Sequence, residues 1–158
     1  MTKILLVEDE LHKREELTSC LEEFFGAELQ LDHVGSVHAA FWAVSVSELD
    51  LIILDMALPT FSAEGKVADE SGATERGHDQ ALGGMEVLRA LKSRGVRLKI
   101  IIITQYPEIT VGGKRLKLSE AAGVLSKRYT QDVIGAILYR YRSPSNKSKL
   151  TNLLVRMK

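Results

Sequence analysis

Two short apolar segments of the sequence each end in acidic residues. Residues 4–7 are followed by Glu8 and Asp9, and residues 51–54 are followed by Asp55. Continuous apolar segments of this length are typical of strands buried on both faces of a parallel sheet. The carboxyl ends of such strands form the binding crevice of an open α/β sheet, so we expect the three acids to converge there. Clustered carboxylates suit Mg²⁺, and a lone aspartate beside that metal could accept a phosphoryl group.

The elements that must position these acids alternate along the chain. Short, continuous apolar segments predict strands. Segments in which apolar residues recur at helical spacing predict helices, and Gly, Ser or Thr residues mark where several of these helices begin or end. The predicted strands are residues 3–7, 29–34, 50–55, 98–104 and 123–126, and the predicted helices are residues 10–25, 37–47, 85–94 and 130–141. Such alternation indicates an α/β fold with a parallel sheet and helices on both faces.

Length and composition are those of one globular domain. The chain has 158 residues, of which 45% are hydrophobic and 27% are charged, which is ordinary for a soluble protein. No apolar stretch approaches membrane-spanning length and no signal peptide is visible, so we expect a cytoplasmic location without membrane contact. The single Cys20 excludes an intramolecular disulfide and a cysteine-based zinc site.

The net charge of zero conceals an uneven distribution. Residues 1–88 carry 5 basic and 18 acidic side chains, a formal charge of −13, whereas residues 89–158 carry 16 basic and 3 acidic side chains, a formal charge of +13. One interpretation is a basic surface in the C-terminal half for an acidic partner. The other is that the two halves neutralise each other within one fold.

Two segments fall outside the alternation and set the domain boundaries. Residues 60–82 are rich in Gly, Ser, Ala, Asp and Glu and are far longer than an ordinary βα connection, which predicts a lid or a flexible insertion. Residues 143–158 form a basic tail in which leucines recur at helical spacing, which predicts a short amphipathic helix. Its apolar face needs burial against the domain, a partner or a second copy of the chain. We therefore assign residues 1–142 to the domain.

At this point the sequence resembles the receiver domain of bacterial response regulators. The matching parts are the acid pair Glu8-Asp9, the acceptor motif Leu54-Asp55-Met56-Ala57-Leu58-Pro59, the hydroxyl of Thr104, the segment Gly123-Val124-Leu125-Ser126-Lys127, and the helix start Gly84-Met85-Glu86-Val87-Leu88. The resemblance covers roughly residues 3–142. It implies a doubly wound, flavodoxin-like fold with five parallel strands in the order 2-1-3-4-5.

The resemblance also implies a function in two-component or phosphorelay signalling. A histidine kinase or a phosphotransfer protein would donate a phosphoryl group to Asp55. The implied Mg²⁺ ligands are Glu8, Asp9, Asp55 and the backbone carbonyl of Ala57, while Lys127 would pair with the phosphoryl group and the Thr104 hydroxyl would bond to it. The chain would not be an enzyme beyond its own phosphoryl transfer and a slow hydrolysis, because Ala57 and Tyr106 offer no amide or carboxylate to orient water.

Three residues depart from the family pattern and keep other functions open. Gln105 replaces a very small residue, Val124 an aromatic one and Arg128 a proline. A degenerate receiver, which acts as an interaction module without phosphorylation, is therefore the alternative.

Other classes of function have less support in the sequence. A phosphohydrolase ranks low because the family of aspartate-nucleophile phosphatases has a second aspartate where this chain has Ala57. Nucleic-acid binding is not expected, because no helix-turn-helix motif follows residue 142. We expect a stand-alone receiver that signals by protein contact through its basic C-terminal half, with a homodimer as a further option.

Overall fold

The computed structural model describes residues 1–58 and 83–157. Pro59 and the predicted insertion 60–82 lie outside the described residues. The strands are β1 Thr2–Val7, β2 Leu29–Val34, β3 Leu51–Asp55, β4 Lys99–Thr104, β5 Glu108–Val111, β6 Lys114–Lys117 and β7 Asp132–Leu138. The helices are α1 Leu11–Phe25, α2 Val37–Val46, α3 Gly83–Ser93, α4 Leu118–Tyr129 and α5 Ser145–Met157, with a short 3₁₀ helix at Gly26–Glu28.

Five of the strands form one parallel sheet in the order β2-β1-β3-β4-β7. This is the predicted doubly wound topology, so the predicted fold class and strand order are confirmed. Residues of the central strand β3 are buried along its whole length, because helices cover both faces of the sheet. The functional edge is the one at which β1, β3 and β4 end.

The helices divide between the two faces. Helices α1 and α5 cover one face, where Leu17, Leu21 and Leu154 pack on residues such as Ile53. Helices α2, α3 and α4 cover the other face, where Leu88 and its neighbours pack on Ile52 and Leu54. The alternation of buried side chains along each strand therefore builds two cores from one continuous apolar segment.

The predicted strand over 123–126 is wrong, and so is the predicted helix over 130–141. Residues 123–126 lie within α4, whose buried residues Leu118, Ala121, Leu125 and Tyr129 recur at helical spacing. The fifth strand of the sheet is β7, which pairs in parallel with β4. The apolar residues of 130–141 fit a helical spacing equally well, and only pairing with β4 decides between the two structures.

Two local features fix β7 in place. The buried side chain of Gln131 accepts a hydrogen bond from the backbone N–H of Leu98 at 2.8 Å and donates one to the carbonyl of Val96 at 2.7 Å. These bonds tie the start of β7 to the segment that leads into β4. Further along, Gly135 allows α5 to approach closely, since a Cβ atom there would lie 2.7 Å from a methyl group of Leu153.

The amphipathic helix predicted in the tail is present as α5, the last helix of the fold. Leu150 and Leu154 of α5 are fully buried and belong to the core beneath α1. A domain boundary at residue 142 therefore does not separate α5 from the core, and its apolar face has a partner within the chain.

Among the described residues no helix is long and apolar enough to cross a membrane.

A β-hairpin that was not predicted from the sequence connects β4 to α4. Strands β5 and β6 pair antiparallel around Gly112 and Gly113, which both have positive φ angles of 60° and 81°. Two adjacent residues of this conformation are what a two-residue hairpin turn requires, and glycine adopts it without strain.

Candidate functional site

Three acidic side chains meet at the carboxyl edge of the sheet. Val7 lies opposite Leu54 in the paired strands β1 and β3, so the residues that follow are neighbours. Carboxylate oxygens of Glu8, Asp9 and Asp55 all lie within 4.8 Å of one another. They line a cavity of about 300 Å³, whose walls are Glu8, Asp9, Glu10, Lys13, Asp55, Ala57, Gln105 and Tyr106. The convergence predicted from the sequence is therefore present.

A lysine that was not among the predicted site residues also lies in this cluster. Lys13 lies in the first half of α1 and is 2% exposed. Its ammonium nitrogen Nζ lies 3.0 Å from Oε1 of Glu8 and 3.5 Å from Oδ1 of Asp55. Side chains of a helix lean towards its N-terminus, which brings this lysine back to the acids that precede α1.

The pKa values of the acids in this cluster are raised, because several negative charges lie close together in a buried environment. Burial raises the pKa of Glu8 to about 8, and the charge of Asp55 adds to this rise. Lys13 and the backbone N–H of Glu10, which donates to Oε2 of Glu8 at 3.1 Å, act in the opposite direction. The pKa of Asp9 is also raised, mainly by burial and to a smaller extent by the negative charge of Asp55.

The ammonium group of Lys13 keeps its charge in this setting. Burial alone lowers the pKa of Lys13, but the charges of Asp55 and Glu8 outweigh it and the net shift is upward. The site therefore contains a permanent cation in contact with two of its three acids.

The loop after β3 is shaped around Asp55. The backbone N–H of Ala57 donates to Oδ1 of Asp55 at 3.1 Å, and the N–H of Gly84 donates to the carbonyl of Met56 at 3.1 Å. A Cβ atom on Gly84 would lie 2.7 Å from Cα of Met56 and 2.9 Å from the carbonyl oxygen of Asp55. The start of α3 thus rests directly on the backbone that holds the carboxylate.

Thr104 and Gln105 lie where the sequence predicts, at the end of β4 beside β3. Thr104 is fully buried, and its hydroxyl oxygen accepts a hydrogen bond from the N–H of Tyr106 at 3.2 Å. Gln105 is exposed on the cavity wall, where its amide donates to Oε1 of Glu10 at 3.3 Å. The side chain of Gln105 therefore forms part of the cavity wall beside Asp55.

Lys127 is not part of the cluster. It lies exposed in the last turn of α4, and α4 ends immediately before β7 begins, so this lysine is at the opposite edge of the sheet from Asp55. The positions assigned to Val124 and Arg128 were tied to the same misplaced strand and belong to α4 as well. The residue that follows β7 is Tyr139, which is buried.

The acidic cluster has the properties of a cation site. Glu8 is fully buried, and its Oε1 atom lies 3.0 Å from Nζ of Lys13. When all three acids are ionised, three carboxylates against one ammonium leave a formal charge of −2, which a divalent cation balances. Binding of the cation then releases the proton that Glu8, with its pKa of about 8, otherwise holds. Carboxylate oxygens are the ligands that Mg²⁺ prefers, so Glu8, Asp9 and Asp55 could hold this metal.

Comparison with known proteins places this arrangement in a family. The Detocs response regulatory protein DtcB of Enterobacter cloacae is 28% identical over 149 residues, which cover 94% of this chain and 95% of that protein. The DtcB protein of Vibrio alginolyticus is 30% identical over 138 residues, which cover 86% of this chain and 87% of that protein. The chain belongs to the response regulator family. It is a receiver of two-component signalling.

The receiver fold is also evident from solved structures, whereas no protein-family model matches the chain. The response regulator TrrA of Thermotoga maritima, in complex with Mg²⁺ and beryllofluoride, aligns with 97% of this chain and 99% of its own chain at a TM-score of 0.55. At 20% identity, this likeness concerns the fold alone.

Lys13 is the residue of this receiver's site that the motif comparison missed. The sequence nevertheless carries a signal, because Lys13 precedes Leu17 and Leu21 by four and eight positions on the apolar stripe of α1. A charged residue on a buried stripe requires a charged partner in the fold. The stripe therefore marks Lys13 as a residue that needs a charged partner, without showing which partner that is.

Proposed function

We propose that this receiver accepts a phosphoryl group on Asp55 and passes the signal on by protein contact. The observation that carries the proposal is the position of the Asp55 carboxylate, which lies at the end of the central strand, lines the cavity and is within 4.8 Å of the oxygens of Glu8 and Asp9. A histidine kinase or a phosphotransfer protein is the proposed donor.

The chemistry is a direct phosphoryl transfer. An oxygen of the Asp55 carboxylate attacks the phosphorus, and the bond from phosphorus to the donor's leaving group breaks with its electron pair going to that group. Because Asp55 reacts as a carboxylate, it has no proton to lose. The Thr104 hydroxyl, at the end of the adjacent strand, is proposed to donate to a phosphoryl oxygen afterwards.

Mg²⁺ is the proposed cofactor, held by Glu8, Asp9, Asp55 and the backbone carbonyl of Ala57. When bound, the metal neutralises charge on the phosphoryl oxygens. The convergence of three carboxylates, whose oxygens lie within 4.8 Å of one another, around a single ammonium supports this assignment, as does the Mg²⁺ in the TrrA complex. Slow hydrolysis stays a prediction, resting on Ala57 and Tyr106 at the cavity wall.

The basic C-terminal half is the proposed surface for the downstream protein. Exposed basic side chains lie on α3, on the hairpin and on α4, among them Lys92, Lys114, Arg115, Lys127 and Arg128. Lys92 donates to the carbonyl of Arg128 at 3.0 Å, which joins the ends of two of these elements. An acidic protein surface is the complementary partner.

The decisive experiment is incubation of the purified chain with acetyl phosphate and Mg²⁺, followed by mass spectrometry. We expect one phosphoryl group per chain, mapped to Asp55, with none on the Asp55→Asn variant and none when the metal is chelated. Asp50→Asn is the matched control, because Asp50 is exposed at the other end of β3. Equal labelling of the wild type and of Asp55→Asn would contradict the proposal.

A degenerate receiver remains the second candidate because of one observation. Lys13 already forms an ion pair with Asp55 at 3.5 Å, and in a degenerate receiver that pair would hold Asp55 permanently. Beryllofluoride with Mg²⁺ separates the two candidates. A phosphorylatable receiver binds it in the wild type and not in Asp55→Asn, whereas a degenerate receiver shows no difference between them.

A further inference from the structure

We propose that Lys13 is a catalytic residue of this receiver, supplying from helix α1 the cation that binds the transferring phosphoryl group. This inference rests on the proposed function and assigns a residue to the same site. The resemblance placed the phosphoryl-binding lysine at the end of the fifth strand, and the structure places Tyr139 after that strand and Lys127 at the far edge of the sheet.

The first argument is contact with the carboxylate that is proposed to react. Lys13 Nζ lies 3.5 Å from Oδ1 of Asp55. Among residues 1–58 and 83–157, Lys13 is the lysine or arginine that the structure records within ion-pairing distance of that carboxylate. It also lines the cavity in which a phosphoryl donor must approach Asp55.

The second argument is the support that holds the ammonium in place. Nζ lies 5.3 Å from the ring centroid of Tyr139, a distance at which the ring face attracts a cation. The Tyr139 hydroxyl donates to Oε1 of Glu16 at 2.5 Å, and Oε2 of Glu16 accepts from Asn146 at 3.0 Å. Tyr139 follows β7, at the place where the resemblance predicted the phosphoryl-binding lysine. It thus helps to position Lys13, which belongs to α1.

The third argument is charge balance through the reaction. Asp55 brings one negative charge and acetyl phosphate two; after transfer, acetate leaves with one and the acyl phosphate on Asp55 keeps two. The ester oxygen of Asp55 then carries no formal charge, so the charge that Lys13 balanced has moved onto the phosphoryl oxygens. A compact ammonium on a flexible stem can follow it over that short distance.

The test compares Lys13→Met with the wild type. Methionine keeps an unbranched side chain of similar reach and removes the charge. We expect the rate of phosphorylation by acetyl phosphate with Mg²⁺ to fall by about 100-fold, the usual cost of one lost transition-state contact. Lys147→Met is the matched control: it removes an exposed lysine that pairs with Glu23 of α1 at 2.6 Å, and its rate should equal that of the wild type.

A second measurement uses the unaltered protein, so that it does not depend on a variant folding. Lysine side chains labelled with ¹³C at Cε are followed by NMR while beryllofluoride and Mg²⁺ are added. We expect the Lys13 signal to shift and the Lys147 signal to stay.

The outcomes separate this inference from the proposed function. If the wild type is phosphorylated and folded Lys13→Met reacts at the same rate, or if beryllofluoride binds without moving the Lys13 signal, the role of Lys13 is refuted and the function of Asp55 stands. If the wild type neither reacts nor binds beryllofluoride, both proposals fail together.

Discussion

At the scale of single residues, the site concentrates ionisable groups that a folded protein ordinarily keeps apart. Glu8 and Lys13 are almost fully buried beside Asp55, and each would destabilise the fold without the others. The ion pairs between them lower this cost without removing it, which is why the pKa of Glu8 remains raised to about 8. Ionisable groups with such perturbed pKa values are typical of sites that bind a charged ligand.

The raised pKa of Glu8 predicts a pH-dependent stability in metal-free buffer. The folded protein holds the Glu8 proton up to about pH 8 and the unfolded chain only up to about 4.5, so the Glu8 contribution is complete below pH 4.5 and is lost as the pH rises to about 8. Glu8→Gln cannot lose that proton. We expect its free energy of unfolding relative to the wild type to increase across this interval by up to about 5 kcal/mol, at about 1.4 kcal/mol per pKa unit.

Urea unfolding of both proteins between pH 5 and pH 9 measures this difference. Glu15→Gln is the control, because Glu15 is an exposed acid on the same helix. A constant difference for Glu8→Gln would show that the Glu8 carboxyl is not destabilised by its surroundings. Added Mg²⁺ should reduce the advantage of the variant, since the metal stabilises the ionised wild type.

At the scale of the elements, helix α3 controls the geometry of the acceptor loop. Its second residue, Gly84, packs against the backbone of Met56 and Asp55 with no room for a side chain. The sequence similarity at residues 84–88 marks the start of this helix, and the contact explains why a glycine stands there. The loop that holds Asp55 is therefore braced by an element that follows residues 59–82 in the chain.

Gly84→Ala should disturb this brace. The added methyl group would lie 2.7 Å from Cα of Met56, so helix or loop must move, and we expect a loss of about 1–3 kcal/mol in the free energy of unfolding together with slower phosphorylation. Gly123→Ala provides the matched control, since nothing lies within 4 Å of a Cβ atom there. This change within α4 should stabilise the protein by roughly 0.5–1 kcal/mol. Equal effects of the two substitutions would refute the close contact.

At the scale of the whole molecule, the C-terminal helix is part of the core and is tied to the site. Asn146, at the start of α5, is 1% exposed, bonds to both backbone groups of Arg140 and donates to Glu16. Glu16 in turn holds Tyr139, whose ring lies beside Lys13. Helices α1 and α5 are therefore connected to the acceptor site through a chain of direct contacts.

Truncating a core side chain of α5 tests whether this helix belongs to the domain. Leu154 is fully buried and Val155 is 59% exposed. We expect Leu154→Ala to lower the free energy of unfolding by about 2–5 kcal/mol, through lost burial and a cavity, and Val155→Ala to change it by less than about 0.5 kcal/mol. Chemical unfolding curves give both values. A small effect at Leu154 would mean that α5 is an appendage, as a boundary at residue 142 implies.

The sequence was informative wherever a local pattern has one structural meaning. Wholly apolar segments such as residues 51–54 are typical of a buried strand, and the acids after them are then expected at its carboxyl edge. The pattern was ambiguous over 130–141, where the four-residue spacing of Val133 and Ile137 suits one face of a helix. The structure instead places these two residues on opposite faces of the sheet, because the pairing of β7 with β4 is irregular. Propensity does not resolve such a case, because pairing with β4 supplies the deciding free energy.

The sequence by itself determined the alternating architecture, the acid pair after β1, Asp55 at the end of β3 and the neighbouring Thr104. Only the tertiary structure shows which cation lies beside Asp55. Lys127 was chosen by its place in a motif, but the motif lies on a helix that ends at the far edge of the sheet. Lys13 reaches Asp55 because α1 packs across the sheet beside Tyr139. Proximity between elements is a property of packing, and no local spacing records it.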